Sequence, residues 1–74
     1  MTHAELLALI EEDAGIDYVT IARRNPEAAA DDLDAHAAAL ETGSVVTSDD
    51  RTMAENCRLY AAELRLHVAR SEAA

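Results

Sequence analysis

The stretch NPEAAADDLDAHAAALETG, residues 25–43, contains a start signal and a stop signal for a helix. Asn25 before Pro26 is a strong N-cap and first-turn combination, because proline forces the preceding residue out of the helical conformation. Gly43 is a stop signal. The sequence therefore predicts a helix from Pro26 to about Glu41. The residues expected to face inward at helical spacing are Ala29, Leu33, Ala37 and Leu40.

A first helix is predicted upstream of this stretch. Thr2 and Glu5 form a T-x-x-E capping box. The apolar residues that follow cover an arc of about 160° at 100° per residue, and they are Leu6, Leu7, Leu9, Ile10 and Ala14. Gly15 is expected to end the helix in the left-handed conformation, with Ile16 folding back as its hydrophobic contact.

The segment between Gly15 and Asn25 predicts a short second helix. Asp17 is the expected N-cap of a helix from Tyr18 to Arg24, which buries Ile21 and Ala22. A strand over residues 16–21 is the competing prediction, because Ile, Val, Thr and Tyr favour strands.

A long fourth helix is predicted after a short extended piece, residues 44–47. Ser48 or Asp49 is the expected cap, and the helix runs to about Arg70. Its main apolar stripe consists of Met53, Cys57, Tyr60, Leu64 and Val68. Leu59 and Leu66 lie seven residues apart on another side of this helix.

The second apolar side of helix 4 predicts a contact with a symmetry mate or a larger partner. The residues expected at this partner interface are Leu59, Tyr60, Leu66, His67 and Arg70. Isolated apolar residues are common on surfaces, so two exposed leucines without a role are the alternative interpretation.

The length of 74 residues and the composition predict one domain, residues 1–74, with a thin core. Alanine accounts for 17 of the 37 apolar residues, which leaves 20 larger side chains. At about 25 cal/mol per Å² such a core gives only a few kcal/mol of net stability. We therefore expect packing against a second chain.

The chain is acidic, with 15 Asp and Glu residues against six arginines, no lysine and a formal charge of −9. This composition resembles that of proteins from salt-loving archaea and their viruses, although a high-GC genome also favours Arg and Ala. At roughly 1 M salt the Debye length is about 3 Å, so crowded carboxylates hardly repel one another. Acidic runs such as Asp31-Asp32 and Asp49-Asp50 are accordingly interpreted as solvated faces and caps.

Cysteine usage and hydropathy predict a cytoplasmic protein, or one assembled into a virion made in the cytoplasm. Cys57 is the only cysteine, which excludes an intrachain disulfide and fits a reducing compartment. The longest apolar run, Leu6 to Ile10, is too short for a membrane span or a secretion signal.

Three segments carry a resemblance to the small winged helix-turn-helix domains of archaeal and bacterial transcription regulators: LLALIEE (6–12), IARR (21–24) and LETGSVVT (40–47). The resemblance implies an all-α, winged-helix-like four-helix domain with a stunted wing, since residues 44–52 hardly hold two strands. It also implies a DNA-associated regulator that dimerises through helix 4. Arg23, Arg24 and Arg51 would then contact nucleic acid.

The outer face of helix 3 disfavours DNA readout. Its predicted outward residues are Glu27, Ala28, Asp31, Asp32, Asp34, Ala35 and Ala38. None of these side chains donates to a phosphate or to guanine, and the carboxylates repel a polyanion.

No catalytic, cofactor or metal site is predicted. Asp32 with His36 and Glu63 with His67 are i, i+4 pairs, which are interpreted as carboxylate–histidine surface contacts because zinc and di-iron spacings are missing. Cys57 lies on an apolar stripe, where a thiol behaves as a small hydrophobe. An enzyme, a membrane contact and a small-molecule substrate are therefore not expected.

The expected function is a non-catalytic structural or adaptor subunit of a larger protein assembly, for example a viral particle or a host complex, that acts through helix–helix contacts. The winged-helix regulator is the alternative. A small antagonist that mimics the charge of DNA with its Asp-rich helix is a third interpretation.

Overall fold

Four helices account for nearly all of the chain in a computed structural model, which describes residues 2–73 and the side chains of residues 2–71. They are α1 (His3–Ala14), α2 (Ile16–Arg24), α3 (Pro26–Glu41) and α4 (Ser48–Ala73). The predicted all-α class is confirmed. No strand forms within residues 2–73, so residues 16–21 are helical and residues 42–47 are a bent connection without a wing.

Side-chain caps begin α1 and α3 as the sequence predicts. The Thr2 hydroxyl accepts a hydrogen bond from the Glu5 backbone N–H at 3.1 Å. Asn25 Oδ1 accepts from the Ala28 N–H at 3.2 Å, and Pro26 occupies the first turn of α3. These bonds satisfy backbone donors that the first turn leaves free.

The cap of α4 differs from the prediction. Thr47, and not Ser48 or Asp49, is the capping residue of α4. Its hydroxyl accepts from the Asp50 N–H at 3.1 Å, and the Asp50 carboxylate accepts from the Thr47 N–H at 3.1 Å. The T-x-x-D spacing allows this reciprocal pair, which satisfies two donors where Ser48 would satisfy one.

Gly15 connects α1 directly to α2. Its φ of 94° is positive, as predicted, but its ψ of 166° is extended and not left-handed helical. The chain therefore enters α2 at once, so Asp17 lies in the first turn of α2 and not at its N-cap. Ile16 points to solvent, with 58% of its surface exposed, and forms no folded-back contact.

The core consists of eight larger side chains and six alanines. The larger ones are Leu6, Leu7, Ile10, Val19, Leu33, Cys57, Tyr60 and Leu64, and the alanines are Ala22, Ala29, Ala30, Ala37, Ala54 and Ala61. Because five of these alanines lie on α3 or α4, those two helices pack along small side chains. This is the most extensive helix pair of the fold.

Several predicted core residues are exposed. Ile21 is 50% exposed, because Tyr18, Val19 and Ala22 form the inner face of α2. Leu9, Ala14 and Met53 also lie at the surface. The reason is geometric. In a chain of this size the neighbouring helices cover only part of each helix, and the apolar arc in the sequence is wider than that part.

The helices run antiparallel to their neighbours. Glu41 at the end of α3 pairs with Arg58, and Asp34 pairs with Arg65 further along α4. Helix α1 crosses the C-terminal half of α4, where its first residue, His3, stacks on His67. The resulting molecule is elongated and measures 44 × 21 × 19 Å.

Candidate interaction surface

One side of α4 carries exposed leucines that the fold does not use. Leu59 is 46% exposed and Leu66 is 47% exposed. They are two helical turns apart, about 10 Å along the axis. Ala62 and Ala69 are exposed on the same side. We call Leu59, Ala62, Leu66 and Ala69 the outer face of α4.

The outer face points away from the other helices. At 100° per residue, Arg58 and Arg65 lie about 100° from the two leucines on one side, and both form ion pairs with α3. Tyr60 and Leu64 lie at roughly 100° or more to the other side, and both are buried in the core. The leucines therefore lie between two occupied sides of α4.

Tyr60 does not belong to this surface. It is 6% exposed, and its hydroxyl donates to the carboxylate of Asp13 near the end of α1. Burial and this hydrogen bond raise the pKa of Tyr60 to about 12. The prediction of Tyr60 as an interface residue is wrong, because the side chain has its partner within the chain.

His67 is half-buried beneath the first turn of α1. Its ring stacks on His3, with centroids 3.8 Å apart and the ring planes 9° apart. The predicted contact with Glu63 is absent, since no ion pair within 4.0 Å joins these two described residues. Of the five predicted interface residues, Leu59, Leu66 and Arg70 are the exposed ones.

The arginines predicted for nucleic acid do not form one cluster. Arg23 lines a cleft together with His67 near the C-terminal end of α4. Arg51 lies near Glu41, at the other end of α4. The hydrogen bond from Arg58 lowers the pKa of the Glu41 carboxyl, and the charge of Arg51 adds to this effect. The 16 residues between positions 51 and 67 span about 24 Å of helix. Arg24 is adjacent to Arg23. A single basic face is therefore not formed.

The acidic side of α3 holds neighbouring helices. Arg65 binds Asp31 at 2.9 Å and Asp34 at 2.7 Å. The hydroxyl of Tyr18 donates to Asp32 at 3.1 Å and to the Ala29 carbonyl at 3.0 Å. Asp31 and Asp32 are exposed, as the sequence predicts, and these carboxylates also bind neighbouring helices.

A matched spacing in the sequence carries a signal for these ion pairs. Asp34 and Glu41 are seven residues apart on α3, and Arg58 and Arg65 are seven residues apart on α4. Two antiparallel helices joined by a short connection bring such pairs into register. The observed pairs, Glu41 with Arg58 and Asp34 with Arg65, follow this pattern.

The chain's single thiol lies in the core. The thiol of Cys57 is buried, and burial together with the nearby Asp13 raises its pKa, so it is held as a neutral thiol. No group of three or more His, Cys, Asp or Glu side chains within residues 2–71 could hold a metal ion. No helix in the described part of the chain is long and apolar enough to cross a membrane.

Comparison with protein-family models, with curated proteins and with solved structures gives no match to this chain.

Proposed function

We propose that the protein is a non-catalytic structural or adaptor subunit of a larger protein assembly, such as a viral particle or a host complex. It acts through the outer face of α4. The observation that carries this proposal is that Leu59 and Leu66, two turns apart on one helix, are about half exposed on a side that no other helix covers.

The thin core supports the same proposal. Among the side chains that the structure describes, eight larger apolar ones are buried, whereas seven are exposed. Covering a leucine completely is worth roughly 1.5–3 kcal/mol, so covering the exposed halves of Leu59 and Leu66 adds roughly 2 kcal/mol to a contact. That is a large gain for a domain of this size, whose net stability is a few kcal/mol.

The charge distribution favours a protein partner over nucleic acid. The formal charge is −9, and Arg58 and Arg65 are engaged in ion pairs with α3. Arg23 and Arg51 lie at different ends of α4. A duplex needs several cations along one face to release its counterions, and Arg23 and Arg51 are too far apart to share such a face.

Co-purification from the native source at high salt tests the proposal. A tagged chain is compared with the double variant Leu59→Glu and Leu66→Glu, and with Val45→Glu as a matched control at an exposed residue of the α3–α4 connection. We expect the double variant to lose the proteins that the parent and the control retain. Circular dichroism and the unfolding midpoint establish that both variants fold, since exposed substitutions usually change stability by only about 0.5 kcal/mol.

Retention of the same proteins by the double variant would contradict the proposal. Their loss from the Val45→Glu control would contradict it as well, because the outer face would then not be the determinant.

A further inference from the structure

We propose that the outer face of α4 binds the same face of a second copy of this chain, with the two α4 helices antiparallel. This inference rests on the proposed function and names its partner. It is argued from the charges that lie at the two ends of the outer face.

The positions of the exposed residues fit a two-fold axis midway between Leu59 and Leu66. Such an axis places Leu59 of each copy opposite Leu66 of the other copy, which gives two equivalent contacts. Glu55 precedes Leu59 by four residues and Arg70 follows Leu66 by four residues. The same axis therefore places Glu55 opposite Arg70 at both ends of the contact, which is the self-complementary pattern of a C2 interface.

Glu55 and Arg70 are free to form these pairs. Both side chains are exposed, and neither forms an ion pair with another described residue. Between the leucines the outer face holds Ala62, whose small side chain allows close approach of the two helices. Opposite charges that flank an apolar helix contact select its orientation and register.

The charge pattern of α4 favours the antiparallel orientation. Residues 48–57 contain three acidic residues and one arginine, whereas residues 58–71 contain three arginines and one glutamate. A parallel pair would place Glu55 opposite Glu55 and acidic ends side by side. An antiparallel pair in this register places Glu55 against Arg70 at both ends, and these are the charges that select the orientation, since Arg58 and Arg65 are engaged with α3.

The test is sedimentation equilibrium of the purified chain at about 0.15 M salt, where the Debye length is about 8 Å. We expect a concentration-dependent monomer–dimer equilibrium. The variants Glu55→Arg and Arg70→Glu should each weaken it by about tenfold, which corresponds to about 1.4 kcal/mol. An equimolar mixture of these two variants should recover parental affinity, because both contacts in the mixed dimer again join opposite charges.

The two substitutions move the net charge in opposite directions, to −7 for Glu55→Arg and to −11 for Arg70→Glu, from −9 in the parent. General repulsion between acidic chains would therefore make Glu55→Arg a tighter dimer. That result, or a mixture no tighter than the single variants, would overturn the proposed register.

A chain that stays monomeric at all concentrations would overturn the inference of self-association. The proposed function would still stand if the double variant Leu59→Glu and Leu66→Glu loses its proteins in the native-source experiment, because the outer face would then bind a different chain. Dimers that persist in that double variant would place the contact elsewhere and would also overturn the inference.

Discussion

The imidazole rings of His3 and His67 stack at a centroid distance of 3.8 Å, with 9° between their planes. This contact joins the first residue of α1 to the C-terminal half of α4. The Nδ1 atom of His3 is buried and has no hydrogen-bond partner among the described residues. The contact is therefore sensitive to the charge on His3.

Acidification should weaken the fold through His3. Burial, followed by the nearby His67 and Arg23, lowers the pKa of His3 below its ordinary value of 6.5. Glu63 and Arg70 of α4 line a second cleft that His3 also borders. A group with a lowered pKa stabilises the fold fully above its unfolded pKa and loses this contribution as the pH falls. We expect the unfolding free energy to decrease below about pH 6.5, as measured by urea unfolding across the pH range.

The variant His3→Gln should reduce this pH dependence, because it has no titrating ring. His36→Gln is the matched control, since His36 is exposed on α3. Equal pH profiles for the parent and His3→Gln would show that another group is responsible.

Removal of the Tyr60 hydroxyl should destabilise the contact between α1 and α4. The variant Tyr60→Phe loses the hydrogen bond to Asp13 and should lower the unfolding free energy by roughly 1.5–3 kcal/mol, the usual range for a bond to a charged group. Denaturant unfolding measures this change. Asp13→Asn keeps an acceptor and should have a smaller effect.

The raised pKa of Tyr60, about 12, gives a second readout of the same contact. A raised pKa contributes stability that is complete below the unfolded pKa of about 10 and is lost as the pH rises through 12. Ultraviolet titration of tyrosinate in the Tyr18→Phe background follows Tyr60 alone. An ordinary pKa in that titration would contradict the buried hydrogen bond.

The two glycines should respond differently to substitution. Gly15 has φ 94° and ψ 166°, a region that residues with a side chain rarely adopt, so Gly15→Ala should cost about 1–3 kcal/mol. Space is not the cause, because an added Cβ at Gly15 meets nothing within 4 Å. Gly43 has no positive φ and its added Cβ makes an ordinary contact, so Gly43→Ala should be neutral or slightly stabilising. Thermal unfolding of both variants checks the contrast.

Salt should stabilise the protein. The formal charge of −9 gives net repulsion that screening removes. Between about 0.1 M and about 2 M KCl we expect the thermal midpoint to rise by at least about 5 °C, which corresponds to about 1 kcal/mol for a domain of this size. Neutralising exposed carboxylates, with Glu12→Gln and Glu27→Gln, should reduce the rise. A midpoint that falls with salt would mean that the ion pairs between α3 and α4 dominate.

Local signals in the sequence predict most of the fold. The Asn25-Pro26 pair and the T-x-x-E box at Thr2 fix where α3 and α1 begin, because each cap involves residues within one turn of the helix. Burial is less predictable, since it depends on which helices are neighbours. Ile21 and Met53 belong to apolar patterns in the sequence, yet they are exposed because no neighbouring helix covers them.

The candidate surface is predicted in part. Leu59 and Leu66 are assigned correctly to a separate side of α4, because a seven-residue spacing is visible along the chain. Tyr60 is assigned wrongly to a partner, because its contact, Asp13, is distant in the sequence. The stacking of His67 on His3 is equally invisible along the chain, and the assignment of His67 to a partner stays a prediction. Periodicity states which residues share a side of a helix, whereas only tertiary packing decides which of those sides is already covered.

Cys57 is the chain's single thiol, and it is 6% exposed on the side of α4 opposite the leucines. Because the side chain is largely covered, its modification by a reagent in solution should become faster when the helices separate, so the modification rate reports spontaneous opening of the molecule. This measurement needs no introduced label. The outer face lies on the far side of the same helix and leaves Cys57 untouched. The modification rate of Cys57 therefore also measures how much more slowly the molecule opens when that face is occupied.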